Sequence, residues 1–191
     1  GSFEVARKIV SKYDPRIKNG TMHFPLIGGD RMAVHGYAID YAKYLQPYSQ
    51  APNKIVLVEV GILKGTGLAV WSDLFPGGRI IGLDIDLANI QQNMPILHER
   101  GAFSRGDPEL YHFDQFIDEA VKVQALLKGD KIDIYIDDGC HAEQSILQSF
   151  ASVHRFLADN FVCFIEDHPS VAWLIREHYP QYSAIQNGKM T

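Results

Sequence analysis

The chain has 191 residues, 46% of them apolar, which is about one ordinary domain with enough apolar side chain for a core. Its net charge of −5 leaves no basic field for phosphates, which excludes nucleic-acid binding by bulk electrostatics, and no apolar run approaches the roughly 20 residues of a membrane helix. Two cysteines, Cys140 and Cys163, are too few for a disulfide scaffold and fit a reducing, cytoplasmic compartment.

Gly1-Ser2 reads as a cloning remnant with no signal peptide after it. Phe3, Val5, Ala6, Ile9 and Val10 recur at helical spacing and predict a helix from Phe3 to Tyr13, ended by Asp14-Pro15. Gly20 to Val34 has no period and contains Gly28-Gly29, so a loop is expected there. Tyr37, Ala38, Tyr41, Ala42 and Leu45 predict a helix over Gly36 to Leu45, and Gln46 to Asn53, with Pro47 and Pro52, closes the region. Residues 1–53 are therefore expected to form a helical cap or lid, and 54–191 the main domain.

From Ile55 the pattern changes. Ile55-Val-Leu-Val-Glu-Val60 is a β-branched run ending in a glycine cluster, as a buried parallel strand does. Gly67 to Phe75 reads as a helix, Pro76-Gly77-Gly78 as a turn and Arg79 to Asp84 as a second strand. A helix near Leu87 to Arg100, a strand at Leu110 to Phe113 and a helix from Phe116 to Leu127 follow. Ile132 to Ile136 is the fourth strand, His141 to Phe156 a helix and Phe161 to Ile165 the fifth strand. Ser170 is expected to cap a last helix that runs to His178. Strands alternating with helices of this length mean βαβ units, hence an α/β fold with a mainly parallel sheet and helices on both faces. Asn187-Gly188 between Tyr182-Ser-Ala-Ile185 and Lys189-Met-Thr191 predicts an antiparallel hairpin at one edge.

Open α/β sheets bind ligands beyond the carboxyl ends of their strands. Those ends read Glu59-Val-Gly61-Ile-Leu-Lys64-Gly65-Thr-Gly67, Asp84-Ile-Asp86, His112-Phe-Asp114-Gln115, Asp137-Asp138-Gly139-Cys140-His141 and Glu166-Asp167-His168. Any single carboxylate there is an ordinary polar loop. Five on one rim repel one another unless a cation or donors intervene, and that marks a site.

The glycine spacing Gly61-x-x-x-Gly65-x-Gly67 is neither that of a dinucleotide site nor, with Lys64 before Gly65, that of a P-loop. Glu59 would face a phosphate, but it suits a ligand carrying an ammonium or sulfonium. Asp84 stands where a carboxylate accepts ribose hydroxyls. Together Glu59, Gly61, Lys64, Gly65 and Asp84 point to S-adenosylmethionine, a tight structural turn being the plainer reading of the loop.

These residues resemble the class I S-adenosylmethionine-dependent methyltransferases, and more narrowly the metal-dependent O-methyltransferases of macrolide sugars. The resemblance rests on Gly29-Asp30-Arg31, His35-Gly36-Tyr37 and Tyr41, on Val58-Glu-Val-Gly61, Gly82-Leu-Asp84 and Asp114-Gln115, and on Ile136-Asp-Asp-Gly-Cys-His141 followed by Ile165-Glu-Asp167. It implies a Rossmann-like sheet and methylation of a hydroxyl on a sugar or natural-product acceptor. It further implies Asp138, Glu166 and Asp167 around a divalent cation, most simply Mg²⁺, with His141 as general base. Gly61, Asp84, Asp114, Gln115 and Asp137 would meet the cofactor. Cys140 stands where the family usually has Ser.

Apart from the resemblance, Asp138, Glu166 and Asp167 are oxygen-only donors from adjacent strand ends, a set that selects Mg²⁺, Ca²⁺ or Mn²⁺ over Zn²⁺. The alternative is that they cap helices and pair with Lys or Arg. His141 follows Asp138 by three residues at an expected helix start, where the neutral imidazole of a base is favoured; His168 competes for the role. Cys140 has no evident partner and reads as a small buried residue. His35, Tyr37 and Tyr41 are expected on a lid that gives aromatic surface to the acceptor. The expected partner is a small hydroxyl-bearing molecule, sugar or polyketide-like, with neither nucleic acid nor membrane and with homo-oligomerisation left open. Rival expectations are a metal-independent O- or N-methyltransferase, an NAD-binding oxidoreductase and a non-catalytic relic. The glycine spacing and Glu59 speak against the second, and the complete set of strand-end residues against the third.

Overall fold

The computed structural model describes Tyr13 and residues 17–18, 21–22, 31–32, 35–49 and 54–191. The helix expected at Phe3 to Tyr13 and most of the expected cap therefore lie outside the described residues. Inside the segment expected as a loop, β2 (Thr21–Met22) pairs antiparallel with β1 (Ile17–Lys18), which precedes that segment. Helix α1 (Ala38–Ser49) runs past the expected stop, because Pro47 stands in its last turn and the helix continues through it.

Five strands form one parallel sheet. Its strands are β3 (Val56–Val60), β4 (Arg79–Asp84), β5 (Glu109–His112), β6 (Ile132–Asp137) and β7 (Leu157–Ile165), in the order β5-β4-β3-β6-β7. The connecting helices are α2 (Thr66–Leu74), α3 (Ala88–Glu99), α4 (Ala120–Leu127), α5 (Glu143–Val153) and α6 (Val171–His178). The chain works outward from β3 to β5 and returns to the other side of β3 with β6. That reversal leaves a crevice at the carboxyl ends of β3 and β6.

Side chains alternate along a strand, so β3 divides its residues between two cores. Leu57 faces α1, α2 and α3, where Tyr41, Leu68, Trp71 and Ile90 pack. Val56, Val58 and Val60 face α4, α5 and α6, with Val123, Ile146, Phe150 and Val171. Each fully buried aliphatic side chain contributes roughly 1.5–3 kcal/mol. Glu59 is in phase with Leu57, and the same alternation therefore buries a carboxylate beneath α2.

Three expectations change at element ends. Helix α4 starts at Ala120 rather than Phe116, because Asp114 Oδ1 accepts Phe116 N–H and Asp118 Oδ1 accepts Ala120 N–H, each closing a turn ahead of the helix. Ser170 sits at the N-cap of α6 without a side-chain cap bond. Gln186 Oε1 takes that part, accepting Ala172 N–H at 3.2 Å. The flanks of the expected hairpin do not form a ladder. Asn187 and Met190 close a turn, Thr191 exchanges both backbone hydrogen bonds with Ile165 of β7, and the Gln186 amide donates to the carbonyls of His168, Gly188 and Met190. Tyr182 packs instead against Phe150 and Phe161. No helix among the described residues is long and apolar enough to cross a membrane.

Candidate active site

A cavity of about 550 Å³ opens at the carboxyl ends of the strands. One carboxylate from the carboxyl end of each strand lines it: Glu59 in β3, Asp84 as the last residue of β4, Asp114 after β5, Asp138 after β6 and Asp167 after β7. The strand ends are stitched together, Gly61 N–H donating to Leu83, Asp138 N–H to Val60 and Glu166 N–H to Asp137, each at 2.9 Å. Gly61 has φ +79°, and a Cβ there would stand 2.2 Å from the Asp138 carbonyl oxygen. Its need for glycine comes from this close approach of two protein strands.

Asp84 organises the loop after β3. One of its oxygens accepts the N–H groups of Ile62 and Leu63 at 2.9 and 3.0 Å, the other that of Asp86. Gln115 reaches across from β5, donating to Asp137 and accepting Cys140 N–H at 2.8 Å. Asp138 and His141 face each other with Oδ1 and Nε2 4.0 Å apart, and Asp138, His141 and Asp167 offer ligand atoms within 4.8 Å of one another. Tyr37 donates to Asp167 at 2.5 Å, and His35 Nδ1 lies 3.3 Å from the same oxygen. Burial pushes the Tyr37 hydroxyl well up, and the Asp167 charge adds to it, so it stays a donor.

Arg31 is the feature that sequence reasoning missed. It is 8% exposed, stacked on Trp71, and surrounded by acids: Glu59 at 2.5 Å, Asp138 at 2.7 Å and Glu166 at 2.7 Å. Burial alone would lower its pKa, but Glu166 and Glu59 raise it further, and it stays charged. Burial raises Glu59 and Glu166 in turn, opposed by Arg31. The signal available was five acids on a rim with one cation motif, Gly29-Asp30-Arg31, left without a role. Ile85 and Phe116, 58% and 49% exposed, also line the cavity just past Asp84 and Asp114, an apolar pair that the strand reading left unassigned.

Several expected site residues fall elsewhere. A Cβ on Gly65 would run into Ile90 at 2.5 Å, and neither Gly65 nor Lys64, whose carbonyl accepts from Asn93, lines the cavity. Asp137 points away into the α5 core, accepting from Gln115, Tyr135, Ser149 and Gly139, so it is a buried structural acid. Glu166 is turned inward to Arg31 and Tyr41 and is not part of the Asp138–His141–Asp167 cluster. Tyr37 and Tyr41 are 5% and 2% exposed and offer no open aromatic surface. His168 accepts Ser170 N–H at 3.3 Å, outside the cavity. Cys140 is exposed rather than buried, because its loop lies at the cavity mouth. His141 precedes α5 by two residues, at φ 57°, and so is not inside the helix.

No protein-family model matches the chain. In solved structures, its fold is similar to MycE, a methyltransferase of the mycinamycin pathway in complex with Mg, SAH and mycinamycin VI. That likeness has a TM-score of 0.60 and 21% identity over 92% of this chain and 41% of MycE. The rRNA methyltransferase aviRa of Streptomyces viridochromogenes matches at 0.51 and 14% identity over 89% of this chain and 87% of its own. The fold is that of class I methyltransferases. Among curated proteins this methyltransferase fold is 26% identical over 145 residues to the mycinamicin VI 2''-O-methyltransferase of Micromonospora griseorubida, covering 73% of the chain and 33% of that protein. It is 24% identical over 179 residues to a rhamnosyl tetracenomycin-C 2'-O-methyltransferase of Streptomyces olivaceus, covering 90% of the chain and 43% of that protein. The chain thus spans less than half the length of the curated relatives it matches.

Proposed function

We propose that this chain binds S-adenosylmethionine in the strand-end cavity and transfers its methyl group to a hydroxyl of a small acceptor, a sugar or related natural product. The observation that carries the reading is the convergence of five strand-end carboxylates, one of them the loop-holding Asp84, with His141 around one cavity. The relatives that methylate sugar hydroxyls support it.

Asp84 would accept the ribose hydroxyls with the lone pairs left after its loop bonds, and Ile85 and Phe116 would take the adenine between apolar surfaces. Asp138 and Asp167 are the oxygen donors that fit a divalent cation of the Mg²⁺ kind, their ligand atoms already grouped with that of His141. Such an ion would supply positive charge that lowers the pKa of an acceptor hydroxyl. Glu166 would join the set only by giving up Arg31. Tyr37 holds Asp167 in place from behind. His141 accepts the hydroxyl proton, the acceptor oxygen forms the new C–O bond, and the C–S bond breaks to leave S-adenosylhomocysteine.

Calorimetry with S-adenosylhomocysteine, followed by transfer of a labelled methyl group to a panel of glycosylated acceptors, tests this. Binding is expected, with turnover lost in EDTA and reduced about 10²–10⁴-fold in His141→Ala. A chain that binds a nicotinamide dinucleotide and not S-adenosylhomocysteine would overturn the reading.

A further inference from the structure

His141 sits on a short loop whose backbone is fixed on both sides of it. Before it, Asp138 N–H donates to the Val60 carbonyl at 2.9 Å, and Cys140 N–H donates to the side-chain carbonyl of Gln115 at 2.8 Å. After it, at the start of α5, the Ala142 carbonyl accepts Ile146 N–H at 3.0 Å and the Ser145 hydroxyl at 2.9 Å. His141 itself has a left-handed φ of 57°, which a residue with a side chain keeps only where its neighbours hold it there. The hold next to it in the chain is a side chain, Gln115, that comes from beyond the end of a different strand, β5.

Burial, contact and polarity all suit Gln115 to that hold. It is buried, and a Cβ on Gly139 would overlap its amide, so the loop lies directly on it. Its Nε2 donates to Asp137 Oδ1 at 2.9 Å. Asp137 is met by donors from Gln115, Gly139, Tyr135 and Ser149, and it serves each of them as an acceptor. An amide turned end for end would set its carbonyl against the carboxylate and its NH2 against Cys140 N–H, so Asp137 permits one orientation. Both ends of the amide are thereby occupied within the protein, although the residue lines the cavity.

We propose that Gln115 is a positioning residue for the proton-accepting His141: oriented by Asp137, its amide braces the Gly139–Cys140 turn and sets the imidazole facing Asp138, with Nε2 and Oδ1 4.0 Å apart. The proposal rests on the methyl-transfer reading above and adds to it the residue through which β5 holds the base. It also gives the buried Asp137 a task at a cavity that it does not line. A misplacement of about 1 Å at a reacting group costs on the order of a hundredfold in rate, which sets the scale of the effect.

Methyl transfer and S-adenosylhomocysteine affinity, measured on the full chain with Gln115→Met, with His141→Ala and with the two combined, test this. Gln115→Met keeps the length of the side chain and removes both amide groups. It is expected to lower kcat about ten- to a hundredfold while S-adenosylhomocysteine binds within about twofold of the parent. In the His141→Ala background it is expected to cost less than about twofold more, because a brace acts through the base it holds. A charge swap is the second arm and decides the matter where Gln115→Met does not fold. Gln115→Glu sets two carboxylates face to face and should lower kcat in the same way. Adding Asp137→Asn is expected to bring kcat back to within about threefold of the parent, since the new carboxylate accepts from both the new amide and Cys140 N–H. Equal losses in kcat and in S-adenosylhomocysteine affinity would make Gln115 a cofactor contact and overturn the brace. So would a full further loss in the His141→Ala background, or a charge swap that stays inactive or unfolded; each leaves the methyl-transfer reading standing. A parent chain that methylates no acceptor of the panel would overturn both.

Discussion

Asp137 and Asp138 are neighbours in the chain with opposite fates. Asp138 turns to the cavity and Arg31, while Asp137 turns to the α5 face in phase with Tyr135 and accepts from Tyr135 and Ser149. Burial raises Asp137, and the Ser149, Gly139 and Gln115 donors pull it back. Ser149→Ala removes one of these donors and is expected to destabilise the fold by about 1–3 kcal/mol in urea denaturation while leaving ligand affinity unchanged. The distinction was partly legible. Ser145, Ser149 and Ser152 recur at helical spacing on the buried face of α5, and a polar stripe in a core implies a buried acceptor. The Arg31 contacts were not legible, because they join residues 28 to 135 positions apart.

Among the elements, Arg79 at the start of β4 ties two others to its own strand. It makes a two-pronged bond to Glu109 of β5 at 2.6 and 2.7 Å and donates to the carbonyls of Leu126 and Leu127 at the end of α4. The Arg79 hydrogen bonds hold Glu109 down at about 2, against 4.5 for an ordinary glutamate. A carboxylate depressed in the fold adds stability that is present above the unfolded value and is lost as pH falls through the folded one. The parent chain should therefore lose this contribution between pH 4.5 and 2, and Glu109→Gln should show a flatter urea midpoint across that window. At pH 7 the variant should be less stable by roughly 1 kcal/mol, the low figure reflecting a carboxylate about a third exposed. The strands themselves were legible, since β3, β4 and β6 are β-branched runs between turn signals. Strand β7 begins four residues early because Leu157 already pairs with Ile132 of β6, while Asp159 and Asn160, poor strand formers, sit in the exposed register shift before Val162 pairs with Ile134.

For the whole molecule, the order β5-β4-β3-β6-β7 matters more than any one loop, since it alone brings residues 59, 84, 114, 138 and 167 to one rim. The βαβ alternation made a parallel sheet expected but not its strand order, and the cavity follows from that order. What alternation could not supply was the direction of Asp114, Asp138 and Asp167, because those three lie past the ladder, where period two no longer applies. A ligand spanning this crevice bridges elements from both halves of the sheet, so its binding should be felt globally. S-adenosylhomocysteine at about 100 times its Kd is expected to add about 2.7 kcal/mol. In a chain of this size that raises Tm by roughly 5–10 °C in a thermal melt.

Among the described residues, three of the five non-glycine residues with left-handed backbone, Leu63, His141 and Asp167, line the cavity. Each such residue costs on the order of 1–3 kcal/mol, a cost that glycine escapes. Natural variation screened only for soluble, heat-resistant protein would therefore drift toward glycine at 141 and 167, improving the fold as it erased the chemistry. A family tree that keeps His and Asp at these two positions would record selection on turnover, and one that drifts to glycine would date its loss.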